Sequence, residues 1–171
     1  MSSQQRSLGK LPLNTLSVTL AWFEAARPNP THKQFQTQLG VHFEEVGEML
    51  DELTTVDPST YILLHEARVA LKALATQLKT GGKLVTVEPQ NRANFLDAIC
   101  DQIVTGTGVA AHCGFPVVDA LTEVNESNWS KFDDNGQPIV DANGKIMKGP
   151  NFYKPNLDQF VPHRIPVFDG E

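Results

Sequence analysis

Apolar residues recur at intervals of three and four along the first 129 residues, and this spacing predicts α-helices. Prolines and glycines interrupt helices, so "RPNP", "VDPST", "TGG" and "CGFP" divide the pattern into five segments. Thr31 and Asp57 stand where helix N-caps are expected, and Pro58 suits a first helical position. The fold class expected is all-α, a bundle of four to five helices. The predicted helices are residues 14–26, 31–53, 58–79, 89–112 and 117–129.

The pattern changes after Trp129. The stretch "DDNGQPIVDANGKIMKGP" contains two Asn-Gly pairs, which favour tight turns between short extended segments. Residues 151–171 hold four aromatic residues and three prolines, so we expect a C-terminal hairpin or ordered loop and then an extended tail. The expected organisation is a single domain over residues 1–171. Its parts are a flexible N-terminus (1–13), a helical core (14–129) and a C-terminal loop and tail (130–171).

Composition narrows the classes of function. Of the 171 residues 40% are hydrophobic, enough for a core, and the net charge of −6 disfavours direct binding to nucleic acid. The N-terminus lacks the apolar segment of a signal peptide, and no apolar run is long enough to cross a membrane. Cys100 and Cys113 show no zinc-ligand spacing and are expected to be buried free thiols. We expect a cytoplasmic protein that binds neither nucleic acid nor membrane.

The second predicted helix carries an unbalanced acidic cluster. "VHFEEVGEMLDEL" contains five carboxylates and no Lys or Arg. Carboxylates three or four residues apart are neighbours on a helix and repel one another. The cluster is therefore either a solvated face or a site for a cation, and the residues alone leave both open. Its members are Glu44, Glu45, Glu48, Asp51 and Glu52.

The fourth predicted helix is expected to be a core helix with a narrow polar stripe. Asp97 and Asp101 are one turn apart on that stripe, and the opposite side is apolar. Carboxylates on two facing helices form a cage of hard oxygen ligands, which Mg²⁺ and Mn²⁺ prefer. A solvated stripe is the alternative.

Together these residues resemble the MazG-like, all-α NTP pyrophosphatase superfamily. The mark of that family is E-x-x-E on one helix and E-x-x-D on a later one. "EVGE" at 45–48 matches the first, and Asp101 matches the final acid, whereas Ala98 replaces the family's Glu and Asp97 stands beside it. "EVNESNWSKF" and "NGKIMKGPNFYKPNL" are similar to C-terminal segments of phage-type and phosphoribosyl-ATP pyrophosphohydrolase-like members. The resemblance covers about residues 16–160.

The resemblance implies hydrolysis of a nucleoside triphosphate between its α and β phosphates, giving the monophosphate and pyrophosphate. It implies two or three Mg²⁺ or Mn²⁺ ions on Glu45, Glu48, Asp97 and Asp101, with Glu44 or Glu45 as general base. Phage-type members act on (d)GTP, so dGTP or GTP is the expected substrate, in the host cytoplasm if the protein is viral. Family members are dimers or tetramers, which implies a homo-oligomer. The implied substrate contacts are Asn125, Asn128, Lys131, Lys145 and Lys148.

Two other functions fit the same residues. One is phosphoribosyl-ATP hydrolysis, which shares the chemistry. The other is a non-catalytic helical interaction protein whose acids and lysines are merely solvated. Trp129 either stacks on a base or packs in the core. The histidines show no metal-ligand spacing and are expected to be structural or at the surface; they are His32, His42, His65 and His163.

Overall fold

A computed structural model describes residues 15–82, 85–141 and 146–165. These ranges contain five α-helices and no strand, which confirms the all-α class. The predicted helix bounds are close to the observed ones, except that the fourth helix follows a 3-10 turn at Pro89–Asn91. No helix in these ranges is long and apolar enough to cross a membrane. The helices are α1 (Thr15–Ala26), α2 (His32–Asp51), α3 (Pro58–Thr80), α4 (Arg92–His112) and α5 (Val117–Trp129).

Local capping defines the first turns of α2 and α3. The Thr31 hydroxyl accepts a hydrogen bond from the Gln34 amide, and the Gln34 side chain accepts one from the Thr31 amide, which is a capping box. Asp57 accepts hydrogen bonds from Ser59 and from Thr60. These bonds, first the one from the Ser59 hydroxyl, lower the pKa of Asp57 from 3.8 to about 2. Both predicted caps are therefore confirmed, and the α3 cap is a carboxylate at neutral pH.

The chain divides into two compact units. Residues 29–92, with α2 and α3, form the hairpin unit. Residues 15–28 together with the described residues after 92 form the terminal unit, which contains α1, α4 and α5. A single domain that includes both units stays a prediction.

The hairpin unit is held together where the start of α2 meets the end of α3. Ala75 and Leu78 are buried, and so is the side chain of Gln36. The Gln36 amide donates hydrogen bonds to the carbonyls of Leu78 (3.0 Å) and Gly82 (2.6 Å). Lys33 donates to two further carbonyls in the same region. Since a helix end leaves carbonyls without partners, these side chains of α2 complete the C-terminus of α3.

Gly40 lies where α2 and α3 approach most closely. A Cβ there would be 2.9 Å from the Ala75 carbonyl oxygen and 2.9 Å from Lys79 Cγ, whereas a Cβ at Gly47 would be 3.8 Å from Leu71. We expect Gly40→Ala to lower the free energy of unfolding by about 1–3 kcal/mol through overpacking. Gly47→Ala should raise it by up to about 1 kcal/mol, because alanine favours helix. Urea denaturation measures both, and equal effects of the two substitutions would contradict the close approach at Gly40.

The core of the terminal unit joins α1 to the end of α5. Trp22, Ala26 and Phe132 are buried together, and the Trp22 indole donates to the carbonyl of Asn128 at 2.9 Å. The ring of Trp129 packs edge-on against Phe132, with centroids 5.2 Å apart. Its indole N–H is buried and finds no partner among the described residues. Trp129 is therefore a packing residue in this structure.

The core position expected for α4 is wrong for the single chain. No residue of α4 is buried, and its exposed fractions include 63% for Leu96 and 45% for Ile103. Cys100, on the same helix, is exposed, contrary to the expectation of a buried thiol, whereas Cys113 is buried. The apolar side of α4 is therefore exposed in the single chain.

The C-terminal segment is an ordered loop and tail. Two isolated antiparallel bridges replace the strands of a hairpin, and Gly136 of the first Asn-Gly pair has a φ of 71°. The second Asn-Gly pair, at 143–144, lies outside the described residues. The tail lies along α5, where the Ser127 hydroxyl donates to the Tyr153 carbonyl at 2.7 Å. The bridged residues are Phe132 with Pro138 and Val140 with Ile146.

Candidate functional site

The acidic face of α2 forms one wall of a groove in the hairpin unit. The groove has a volume of about 340 Å³, and its other wall is a face of α3 that carries positive charge. The acidic cluster thus faces cations on the neighbouring helix. The α2 wall consists of Glu44, Gly47, Glu48 and Asp51, and the α3 wall of His65, Arg68, Val69 and Lys72.

Two ion pairs connect the helices here. Arg68 Nη1 lies 2.7 Å from Asp51 Oδ1, and Lys79 Nζ lies 2.5 Å from Glu44 Oε1. The four side chains are 29% to 59% exposed, so each pair contributes less than about 1 kcal/mol to stability. The pairs nevertheless orient two of the carboxylates. Glu44 must share or leave Lys79 before it acts as a general base.

Glu48 and Lys72 also line the groove but belong to neither of these ion pairs. Within the described ranges, neither the Glu48 carboxylate nor the Lys72 ammonium group has an ion pair or hydrogen bond. Both residues are exposed. A carboxylate and an ammonium group are therefore available to a ligand between the two ion pairs.

Glu45 belongs to a neighbouring face of α2. It is exposed, it does not line the groove, and it lies about 100° around the helix from Glu44. Glu48 is about 60° from Glu45, so a ligand at the edge of the groove can reach both. Periodicity predicted a shared face both for Glu44 and Glu48 and for Glu45 and Glu48, and of these pairs Glu44 and Glu48 line the groove together.

Asp97 and Asp101 are exposed on α4, one turn apart. The structure does not bring three His, Cys, Asp or Glu side chains together in a metal-holding group within the described residues. Carboxylate oxygens are the ligands that Mg²⁺ and Mn²⁺ prefer, and all four predicted ligands are accessible to solvent or at a groove edge. The predicted metal site stays a prediction.

Asn125 has a structural place between α5 and α1. It is 2% exposed; its amide nitrogen donates to the Thr15 carbonyl, and its amide oxygen accepts from the Thr19 hydroxyl, both at 2.9 Å. A substrate contact by Asn125 stays a prediction, and these bonds give it no support.

The other predicted substrate contacts lie near the C-terminal loop. Asn128 accepts a hydrogen bond from Lys131 at 2.7 Å, and the Lys131 ammonium group is 5.8 Å from the centre of the Trp22 ring. Lys148 is exposed, 4.6 Å from the centre of the Phe152 ring. Lys145 lies outside the described residues. Their contacts with substrate stay predictions.

The cations of α3 that line the groove were not among the site residues predicted from the sequence. His65, Arg68 and Lys72 follow one another at intervals of three and four residues, which places them on one helix face. His65, expected to be structural or at the surface, is exposed and lines the groove. The spacing indicates that these three residues share a face of α3. It does not indicate which face of α3 packs against α2, because that depends on contacts between the two helices.

A smaller pocket adjoins the groove at the turn between α2 and α3. It has a volume of about 150 Å³ and shares His65 and Arg68 with the groove. Its remaining lining is apolar or uncharged, so the charged part of this surface is confined to the groove. The other lining residues are Leu50, Leu53, Thr54, Thr55, Tyr61 and Leu64.

Comparison of the chain with protein-family models, curated proteins and solved structures gave no match. The functional assignment therefore depends on the residues of this chain and on the geometry of the groove. The features that any function must explain are a groove walled by charges of opposite sign and an exposed apolar helix that carries two aspartates.

Proposed function

We propose that the protein is a metal-dependent nucleoside triphosphate pyrophosphohydrolase of the MazG-like type. It cleaves dGTP or GTP between the α and β phosphates to the monophosphate and pyrophosphate. The observation that carries the proposal is the groove in which Glu44 and Glu48 stand opposite cations of α3. A magnesium triphosphate presents charges of both signs, so it suits a groove with an acidic and a basic wall.

Exposed carboxylates supply the metal ligands in this proposal. Glu45 and Glu48 of α2 and Asp97 and Asp101 of α4 would hold two or three Mg²⁺ or Mn²⁺ ions, from one chain or from two copies. When bound, such ions neutralise phosphate charge and lower the pKa of a coordinated water.

The protein's own task is to move one proton and hold the substrate. A carboxylate, Glu44 or Glu45, accepts the proton of the attacking water. A bond forms from the water oxygen to phosphorus, the bridging P–O bond between the α and β phosphates breaks, and pyrophosphate leaves with the electron pair. The ion pair with Lys79 keeps the Glu44 carboxylate in place until the substrate arrives.

Self-association belongs to the same proposal. The apolar side of α4 is exposed, and the two aspartates occupy its polar stripe. A homo-oligomer, a dimer or a tetramer, would cover that apolar side. We propose in addition that Asp97 and Asp101, on the polar stripe, belong to a site shared by two subunits.

A panel of nucleotides tests the function. With Mn²⁺ or Mg²⁺ we expect pyrophosphate and dGMP or GMP from dGTP or GTP, and no orthophosphate. Hydrolysis confined to phosphoribosyl-ATP would favour the related biosynthetic reaction. Release of pyrophosphate from none of these substrates would contradict the proposal.

Thermal unfolding provides a control that does not require turnover. A ligand that binds only the native state raises its stability, by about 2.7 kcal/mol at a hundred times the dissociation constant. Mn²⁺ with a non-hydrolysable dGTP analogue should therefore raise the melting temperature. No shift would favour a non-catalytic interaction protein.

A further inference from the structure

We propose that Arg68 and Lys72 of α3 bind the phosphate chain of the substrate and remain in contact with pyrophosphate as it forms. This inference rests on the proposed function, because it assigns the second wall of the same groove. It assigns the contact to α3, which carries none of the motifs quoted for the resemblance.

The position of the two side chains supports the assignment. Arg68 and Lys72 are one turn apart on α3 and line the groove together with Glu44 and Glu48. Of the proposed metal ligands, Glu48 lines the groove, so a metal ion on Glu48 would place the phosphate that it coordinates opposite α3. Glu48 would then hold the metal, and the cations of α3 would bind phosphate oxygens.

The donors of both side chains are available. The Lys72 ammonium group has three N–H donors and no acceptor among the described residues. Arg68 directs Nη1 to Asp51, and its Nη2 lies at the limit of hydrogen bonding, 3.5 Å from His65 Nδ1. A guanidinium has five donors in a planar fork, so Arg68 can bind phosphate while it keeps Asp51.

Binding of inorganic tripolyphosphate with Mg²⁺ tests the assignment on the full chain by isothermal titration calorimetry. We expect Lys72→Gln and Arg68→Gln each to raise the dissociation constant about tenfold or more, because each removes a charged hydrogen bond. Lys154→Gln removes an exposed cation of the terminal unit and should stay within about twofold. Asp51→Asn breaks the pair with Arg68 but keeps the guanidinium, so it should bind as tightly as the wild type or more tightly.

The outcomes separate this inference from the proposed function. Wild type that binds no tripolyphosphate, or Lys72→Gln that binds within about twofold of wild type, would overturn the phosphate contact. If Lys72→Gln also hydrolyses dGTP with an unchanged KM, the proposed function stands without it. The protein could also bind tripolyphosphate in a way that depends on Lys72 and yet release no pyrophosphate from any nucleotide. That result would support the phosphate contact of α3 and contradict the proposed hydrolase function. Thermal unfolding of each variant verifies that it is folded.

Discussion

Replacement of Glu48 by glutamine is expected to lower the rate of pyrophosphate release from dGTP about a hundredfold or more. Glutamine keeps the size of the side chain but removes the charge that a divalent cation requires. Metal ions contribute several kcal/mol of charge stabilisation in the transition state, and each 1.36 kcal/mol is a factor of ten in rate. A coupled assay for pyrophosphate at saturating Mn²⁺ measures the effect.

At Glu48 a loss of activity can be separated from a loss of stability. Its carboxylate has no ion pair among the described residues, so Glu48→Gln should change the free energy of unfolding by less than about 0.5 kcal/mol. Glu66→Gln removes the same charge from an exposed residue of α3 outside the groove, and its activity should stay within about twofold. A loss of less than about tenfold for Glu48→Gln would mean that no metal-bound step depends on this carboxylate.

Helix ends were predictable because their causes are local. The capping box of Thr31 and Gln34 lies within four residues, and so does the cap of Asp57 on Thr60. The shared face of Glu44 and Glu48 likewise follows from the helical repeat alone. Features of this kind require no knowledge of what packs against a helix.

The partners of the acidic cluster were not predictable in the same way. Lys79 is 35 residues from Glu44, and Arg68 is 17 residues from Asp51. Both pairs exist because α2 and α3 approach at Gly40 and Gln36, which determines the faces that meet. The hydrogen bonds of Asn125 likewise depend on the packing of α1 against α5, so the sequence alone did not predict them.

The exposure of α4 could not be predicted from its apolar pattern. Its pattern of apolar residues correctly predicts a helix, but the pattern cannot distinguish burial within one chain from burial between chains. Within the described residues the helix is exposed throughout most of its length, including Cys100. The same sequence signal that predicted a core helix is therefore the main support for self-association.

If the proposed homo-oligomer forms through the apolar side of α4, replacement of Leu96 by aspartate is expected to dissociate it, with the dissociation constant of a dimer raised at least about a hundredfold. Burial of a leucine side chain contributes about 1.5–3 kcal/mol, and a twofold interface contains the substitution twice. Because Leu96 is 63% exposed in the single chain, the stability of the monomer should change by less than about 0.5 kcal/mol. Sedimentation velocity over a range of concentrations measures the association, and urea denaturation the stability.

The activity of the same variant connects assembly to the site. If Asp97 and Asp101 serve a site shared by two subunits, Leu96→Asp should lose pyrophosphate release in parallel with association, although it changes no proposed ligand. Val56→Asp, in the turn between α2 and α3, adds the same charge at a fully exposed residue and should keep both properties. A monomeric Leu96→Asp with full activity would contradict the shared site, since one chain would then supply every catalytic group. If the wild-type protein is itself a monomer, the proposed homo-oligomer is contradicted, and a different protein would have to cover the exposed apolar side of α4.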